Sequence, residues 1–307
     1  MSLSAVSSRA DNVARAIALT LFTIAVFGVQ DAISKTLVQT YSPFQVTMMR
    51  YWGFGLFALW LVRRQAPLRQ ALKSRVPMLQ LTRGALLIIE IWFFAMALKS
   101  VPLGELQAIS LVYPLLVTLF AIPLLGEKVG VFRFVAVGAG FAGALIIVRP
   151  GGLPLDWGVG FAMASATLYA LYIVITRKVT EYDSAATSMA YSGIIGVLLS
   201  SAVGVFFWQN MGWTELLMVT AMMVTTCLGH GVMIFALSMA PASTVQPFNY
   251  FSLPWAIFLS AAIFGEWIDP VSLLGAGVVV AAGLVVMARE RIKRVRVVED
   301  PLLPGRE

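Results

Sequence analysis

From Ala14 onward the chain is a succession of apolar runs, separated by short gaps of charge, proline or glycine. The runs cover 14–38, 44–62, 79–99, 104–125, 130–148, 158–178, 185–207, 215–239, 243–264 and 270–288. Each approaches the ~20 residues that carry a helix through a bilayer, so the pattern predicts an all-α membrane protein of ten transmembrane helices. Residues 1–13 are too polar for a signal h-region, and the first run reads as an uncleaved helix. The longest gap, 63–78, is too short for a soluble domain. Function must therefore come from the helical bundle.

Composition strengthens this picture. The 307-residue chain is 59% hydrophobic and 12% charged, with a mean hydropathy of +0.86, whereas ordinary soluble domains are roughly 25% charged. A net charge of +7 would suggest a nucleic-acid partner in a soluble chain. Here the Lys and Arg residues cluster in the gaps instead of forming a stripe on an open surface, which argues against nucleic acid. With an even number of spans both termini lie on one side. That side gathers Arg9, Arg15, Arg63, Arg64, Arg69, Lys73, Arg75, Lys128, Arg133, Arg177, Lys178 and a basic tail at 289–307, while the other keeps Lys35, Lys99 and Arg149. The positive-inside rule places both termini in the cytoplasm. The single cysteine, Cys227, excludes an internal disulfide and a thiolate metal cluster. No metal or cofactor is expected.

The sequence also repeats itself. ALKSVP at 97–102 matches ALSMAP at 236–241, and the same offset carries Gln107 to Gln246, Gly126 to Gly265 and Gly138 to Gly277. ISKT at 33–36 similarly overlays ITRK at 175–178. Two five-helix copies are predicted, 14–149 and 157–288. Five is odd, so the copies must insert in opposite orientations, the inverted-repeat plan of many secondary transporters, with a binding site near the midplane between them.

The segments ALKSVPLGELQAISLVYPLLVTLFAIPLLGEKV (97–129) and ALSMAPASTVQPFNYFSLPWAIFLSAAIFGEW (236–267) share a small-residue hairpin, a proline in the following helix and a closing Gly-Glu. In these features the chain resembles the EamA-type members of the drug/metabolite transporter superfamily. The resemblance implies ten helices as two inverted repeats around a central cavity, a multi-pass bacterial inner-membrane protein, and secondary transport by alternating access. The expected substrate is a small metabolite, an amino-acid-like zwitterion or an organic cation, possible coupling ions include protons, and the protein is a monomer or homodimer. DAISK (31–35), SPFQVTMMRYW (42–52) and LTRG (81–84) are similar, more narrowly, to S-adenosylmethionine uptake transporters within that superfamily.

A charge at the centre of a membrane helix costs about 2.5 to 3.5 kcal/mol on insertion scales and needs a partner, a wet cavity or a function. Asp31, Arg50, Glu90 and His230 are such residues. Asp31 and Arg50 flank the first turn at similar depth, and Lys35 lies one helical turn from Asp31, so Asp31 is expected to bridge both cations. That bridge reads as a clamp between the first two helices or as a gate or substrate contact, and the remaining alternative is that Lys35 snorkels to the interface. Glu90 and His230 occupy nearly equivalent positions in the two repeats and are expected near the midplane, as a hydrogen-bonded core pair, a substrate contact or a proton-coupling pair. Gln107 and Ser110 define one face ahead of Pro114, while Gln246, Asn249 and Tyr250 trace the corresponding face of the second repeat. Tyr113, Tyr172 and Tyr250 are candidates for stacking on the substrate or for helix packing.

The rival classes fit poorly. A serine hydrolase lacks a GxSxG setting and a metal hydrolase lacks an HExxH helix. A passive pore should carry polar faces through several whole helices. VGAGFAGA (137–144) and LGAG (274–277) lie inside spans and read as close helix contacts, not phosphate loops.

Overall fold

The structure, a computed structural model, describes residues 3–65, 67–126, 131–148, 156–240 and 245–299. Glu127, Lys128, Arg149 and the side chains of the tail beyond Arg289 fall outside that description. The helices are α1 (Leu3–Thr40), α2 (Pro43–Gln65), α3 (Leu68–Ala71), α4 (Pro77–Ala97), α5 (Leu103–Ser110), α6 (Tyr113–Leu125) and α7 (Val131–Ile147). After these come α8 (Trp157–Val179), α9 (Ala185–Gly204), α10 (Trp213–Met239), α11 (Ser252–Phe264) and α12 (Pro270–Glu299). Short 3-10 turns occupy Val205–Phe207 and Gln246–Phe251.

Eight helical segments among the described residues are long and apolar enough to cross a membrane. The predicted second and fifth spans are α2 and α7. α2 is weakened by Arg50, Arg63 and Arg64, yet its 23 residues reach about 34 Å at 1.5 Å per residue. α7 is a shorter apolar rod packed against α12. The ten predicted spans thus all have helical counterparts.

Two of the predicted spans are broken. The fourth divides into α5 and α6 around a turn at Leu111 and Val112, and the ninth into a 3-10 turn and α11. Proline is the cause in both. Pro114 and Pro254 lack an N–H, and their rings collide with the carbonyl four residues back, at Ser110 and Tyr250, where the preceding segments end or unwind. Both spans then finish on a left-handed glycine, Gly126 at φ 68° and Gly265 at φ 67°, a backbone region that suits glycine.

Packing follows an exchange rule. α1 lies on α10 and α4 on α8, so the first span of each half packs against the third of the other. α2 lies on α9, α7 on α12 and α5 on α11. The α7–α12 contact is backbone to backbone: a Cβ placed on Gly143 or Gly275 would come within 2.7 or 2.6 Å of the other glycine's carbonyl oxygen. The small-residue stretches are therefore contact surfaces. The two ends of the bundle are not packed alike. Lys35 and Leu98 are 4% and 0% exposed, whereas their counterparts in the other half are exposed, Arg177 on the helix surface and Leu237 at 43%.

Candidate functional site

The broken spans meet at the centre of the bundle. Gln107 Nε2, on the last turn of α5, donates to Ser252 Oγ at 3.0 Å, at the start of α11. Around this bridge lies a cavity of about 350 Å³, within the size range of small-molecule sites. Non-helical backbone at membrane depth is tolerated where it lines such a cavity.

Asp31 from α1, Arg50 from α2 and Glu90 from α4 all reach this space. Glu90 is oriented by Ser165 of α8, whose hydroxyl donates to Glu90 Oε1 at 2.8 Å. Arg50 has a buried Nε with no hydrogen-bond partner. Gln30 is turned by Thr226 of α10, which donates to Gln30 Oε1 at 2.6 Å. Gln107, Ser110, Tyr113, Asn249 and Ser252 add neutral polar groups, and Phe27, Phe94 and Tyr169 add rings. Gly28 leaves space for Trp255, whose indole fills the position of a Cβ and donates to the Ala25 carbonyl at 3.1 Å.

Several expectations need correction. Asp31 does not bridge Lys35 and Arg50. Lys35 instead turns toward the other half, with its Nζ 2.9 Å from Glu266 Oε1 and donating to the Val101 carbonyl at 3.0 Å. Ser260 donates to the second Glu266 oxygen at 3.0 Å. An i,i+4 partner on α1 offered one contact, whereas the end of α11 offers a carboxylate, a carbonyl nearby and the Phe264 ring at 5.3 Å. Asp31 and Arg50 share the cavity without forming an ion pair among the described residues.

Glu90 and His230 are not paired either. His230 packs on Phe27 and Phe54, with ring centroids 5.3 and 5.0 Å away, and is absent from the cavity wall. Gln246 and Tyr250 also leave the predicted face, because a 3-10 turn has three residues per turn rather than 3.6. Gln246 accepts from Asn249 Nδ2 at 2.9 Å, and the Tyr250 hydroxyl fills the place of a Cβ on Gly283 of α12. Tyr172 sits one layer behind the wall, where its hydroxyl accepts from Arg83 at 3.3 Å.

Arg83 is a buried charge that sequence reasoning passed over. It lies within LTRG and close to the start of α4, where a cation reads as part of the interfacial set. The residue is 3% exposed. Ser165, Tyr169 and Ser252 were also missed, since single hydroxyls in apolar runs give no sequence signal.

With the site described, its relatives can be named. The sequence model of the EamA-like transporter family matches residues 14–149 and again 156–288. The chain belongs to this family, within the drug/metabolite transporter superfamily; it is a multi-pass membrane transporter and not an enzyme. It is 31% identical to a riboflavin transporter of Vibrio cholerae over 69% of this chain and 72% of that protein. It is 23% identical to an S-adenosylmethionine uptake transporter of Rickettsia prowazekii over 88% of this chain and 92% of that protein. A riboflavin transporter of Rhizobium johnstonii is 27% identical over 78% of this chain and 80% of its own length. The fold is similar to a solved crystal structure at a TM-score of 0.62 and 18% identity, covering 92% of this chain and 99% of that one.

Proposed function

We propose that the protein is a secondary carrier of the bacterial inner membrane that moves a small zwitterion bearing an organic cation, with S-adenosylmethionine as the leading candidate. The observation that carries this reading is the mixed charge of one cavity: Asp31, Arg50 and Glu90 converge there, and Arg50 keeps a buried, unpartnered Nε. A substrate carboxylate would satisfy Arg50 through a charge-assisted hydrogen bond. Asp31 and Glu90 would face the ammonium or sulfonium, and in its absence they are the groups suited to carry a coupling proton.

Alternating access follows if the two halves are inverted copies, a reading supported by the doubled family match and by the exchange rule of packing. Both termini then lie in the cytoplasm. The closed end, pinned by Lys35 and Glu266, is the outer gate, and the loosely packed end opens inward.

The second reading is a flavin. It is favoured by the rings of Phe27, Phe94, Tyr113 and Tyr169 in the wall and by the riboflavin transporters among the relatives. Protein reconstituted in liposomes should take up radiolabelled S-adenosylmethionine saturably, with counterflow when the lumen is preloaded. Uptake of riboflavin alone would select the second reading, and linear, unsaturable flux of both compounds would refute a carrier.

A further inference from the structure

Arg83 is held entirely by neutral acceptors. Its Nε donates to Gln80 Oε1 at 3.2 Å, and its Nη2 donates to the Ser188 carbonyl at 2.5 Å and to Ser192 Oγ at 2.8 Å. These contacts tie α4 to α9. The remaining arm serves a different purpose, because Nη1 donates to the Tyr172 hydroxyl at 3.3 Å while the guanidinium carbon lies 5.6 Å from that ring's centroid.

Tyr172 begins a ladder that ends in the cavity. Its ring stacks on Tyr169 of the same helix at 5.9 Å and 23°. Tyr169 then meets Tyr113 of α6 edge-on at 4.9 Å and 78°. The last two rings line the cavity and Tyr172 does not. A tyrosine ring in an open pocket can turn about two torsions, but Tyr169 turns only by giving up its stack on Tyr172, a ring that the bond from the buried Arg83 holds in place. The planar fork of Arg is what allows one side chain to hold α9 and the ladder together, and Lys offers no such geometry.

We infer that Arg83 is a positioning residue: acting through Tyr172, it sets Tyr169 and Tyr113 as a rigid aromatic wall on which a flat ring of the transported molecule stacks. This deepens the carrier reading above and rests on it for the word transported. The substrate class is thereby narrowed to molecules that combine a planar heterocycle with the charged groups that Asp31, Arg50 and Glu90 recognise. S-adenosylmethionine, with its adenine and its charged methionyl end, meets both conditions, whereas riboflavin, uncharged at neutral pH, offers the ring alone.

Two probes separate ring from charge. Lumichrome is a flat tricycle without a side chain, and S-methylmethionine is a sulfonium zwitterion without a ring. Purified wild-type protein should quench lumichrome fluorescence on binding and be stabilised thermally by S-methylmethionine. In Tyr172→Phe and Arg83→Lys the lumichrome dissociation constant should rise about five- to tenfold, with S-methylmethionine affinity within about twofold of wild type; for a transported ring-bearing solute KM should rise with kcat nearly constant. If Arg83→Lys fails to fold, Tyr172→Phe decides alone. Unchanged lumichrome affinity in Tyr172→Phe, a parallel loss for both probes, or no lumichrome binding by the wild type would each overturn the wall. Those results leave the carrier reading standing if saturable flux is observed, whereas intact discrimination without flux of any solute overturns only the carrier reading.

Discussion

Arg50 carries the sharpest consequence at the level of single residues. A hydrogen bond to a charged group is worth about 1.5–3 kcal/mol, so Arg50→Gln should lower kcat/KM for the transported solute by roughly one to two orders of magnitude while membrane insertion stays normal. Uptake assays on liposomes matched for protein content check this, and wild-type rates would show that the guanidinium makes no contact with the solute. The cost of charge in lipid drew attention to Asp31, Arg50 and Glu90, which all reach the cavity. It could not distinguish His230, which packs on Phe27 and Phe54 and is otherwise exposed on α10 instead of facing the cavity. It also mispaired Lys35, since sequence spacing records neighbours along α1 and not a carboxylate at the end of α11.

Among the elements, the helix limits were legible because each depends on local chemistry. Pro114, Pro254, Gly126 and Gly265 mark breaks and caps in both halves. What a run of apolar residues does not reveal is whether the turn before a proline becomes 3-10, and that choice moved Gln246 and Tyr250 off the expected face. A Cβ at Gly126 or Gly265 would meet nothing within 4 Å, so the cost of alanine there is purely conformational. Gly265→Ala should lower stability by about 1–2 kcal/mol, measured by thermal unfolding in detergent.

The connection between α8 and α9 has its own tie. Asp183 accepts from Ser74 at 2.5 Å, from Gln80 at 2.9 Å and from the Arg75 amide at 2.8 Å. Partial burial raises the Asp183 carboxyl, but the donors from Ser74, Gln80 and Arg75 outweigh it and the net direction is below the usual aspartate value. A depressed folded value contributes stability above the unfolded pKa of about 3.9 that is lost as pH falls through the folded one. Wild-type unfolding temperature should therefore drop on acidification below about pH 4, and Asp183→Asn should shrink that drop. An identical acid profile in the variant would remove Asp183 from the account.

Over the whole molecule, the proposed outer gate rests on the Lys35–Glu266 contact. Glu266→Gln leaves Lys35 buried without its counter-charge, a change that is strongly destabilising when both partners are dry and milder here because Glu266 is 30% exposed. The outer end should then open more often. Leu103 lines the cavity near that end and is 1% exposed. A cysteine at 103 in a Cys227→Ser background should accordingly be labelled faster by a membrane-impermeant maleimide from outside when Glu266 is Gln. Equal rates would mean that the pair does not hold the gate.

The first helix finds its partners late in the chain. Gln30 is oriented by a residue 196 positions downstream, and the Ala25 carbonyl is bonded by one 230 positions downstream. During synthesis, Gln30 and the Ala25 carbonyl must therefore wait for the eighth and ninth spans, and Lys35 for the carboxylate of Glu266 that follows them. A chain that stops short of Glu266 keeps a cation in its first span without the counter-charge that the finished fold supplies.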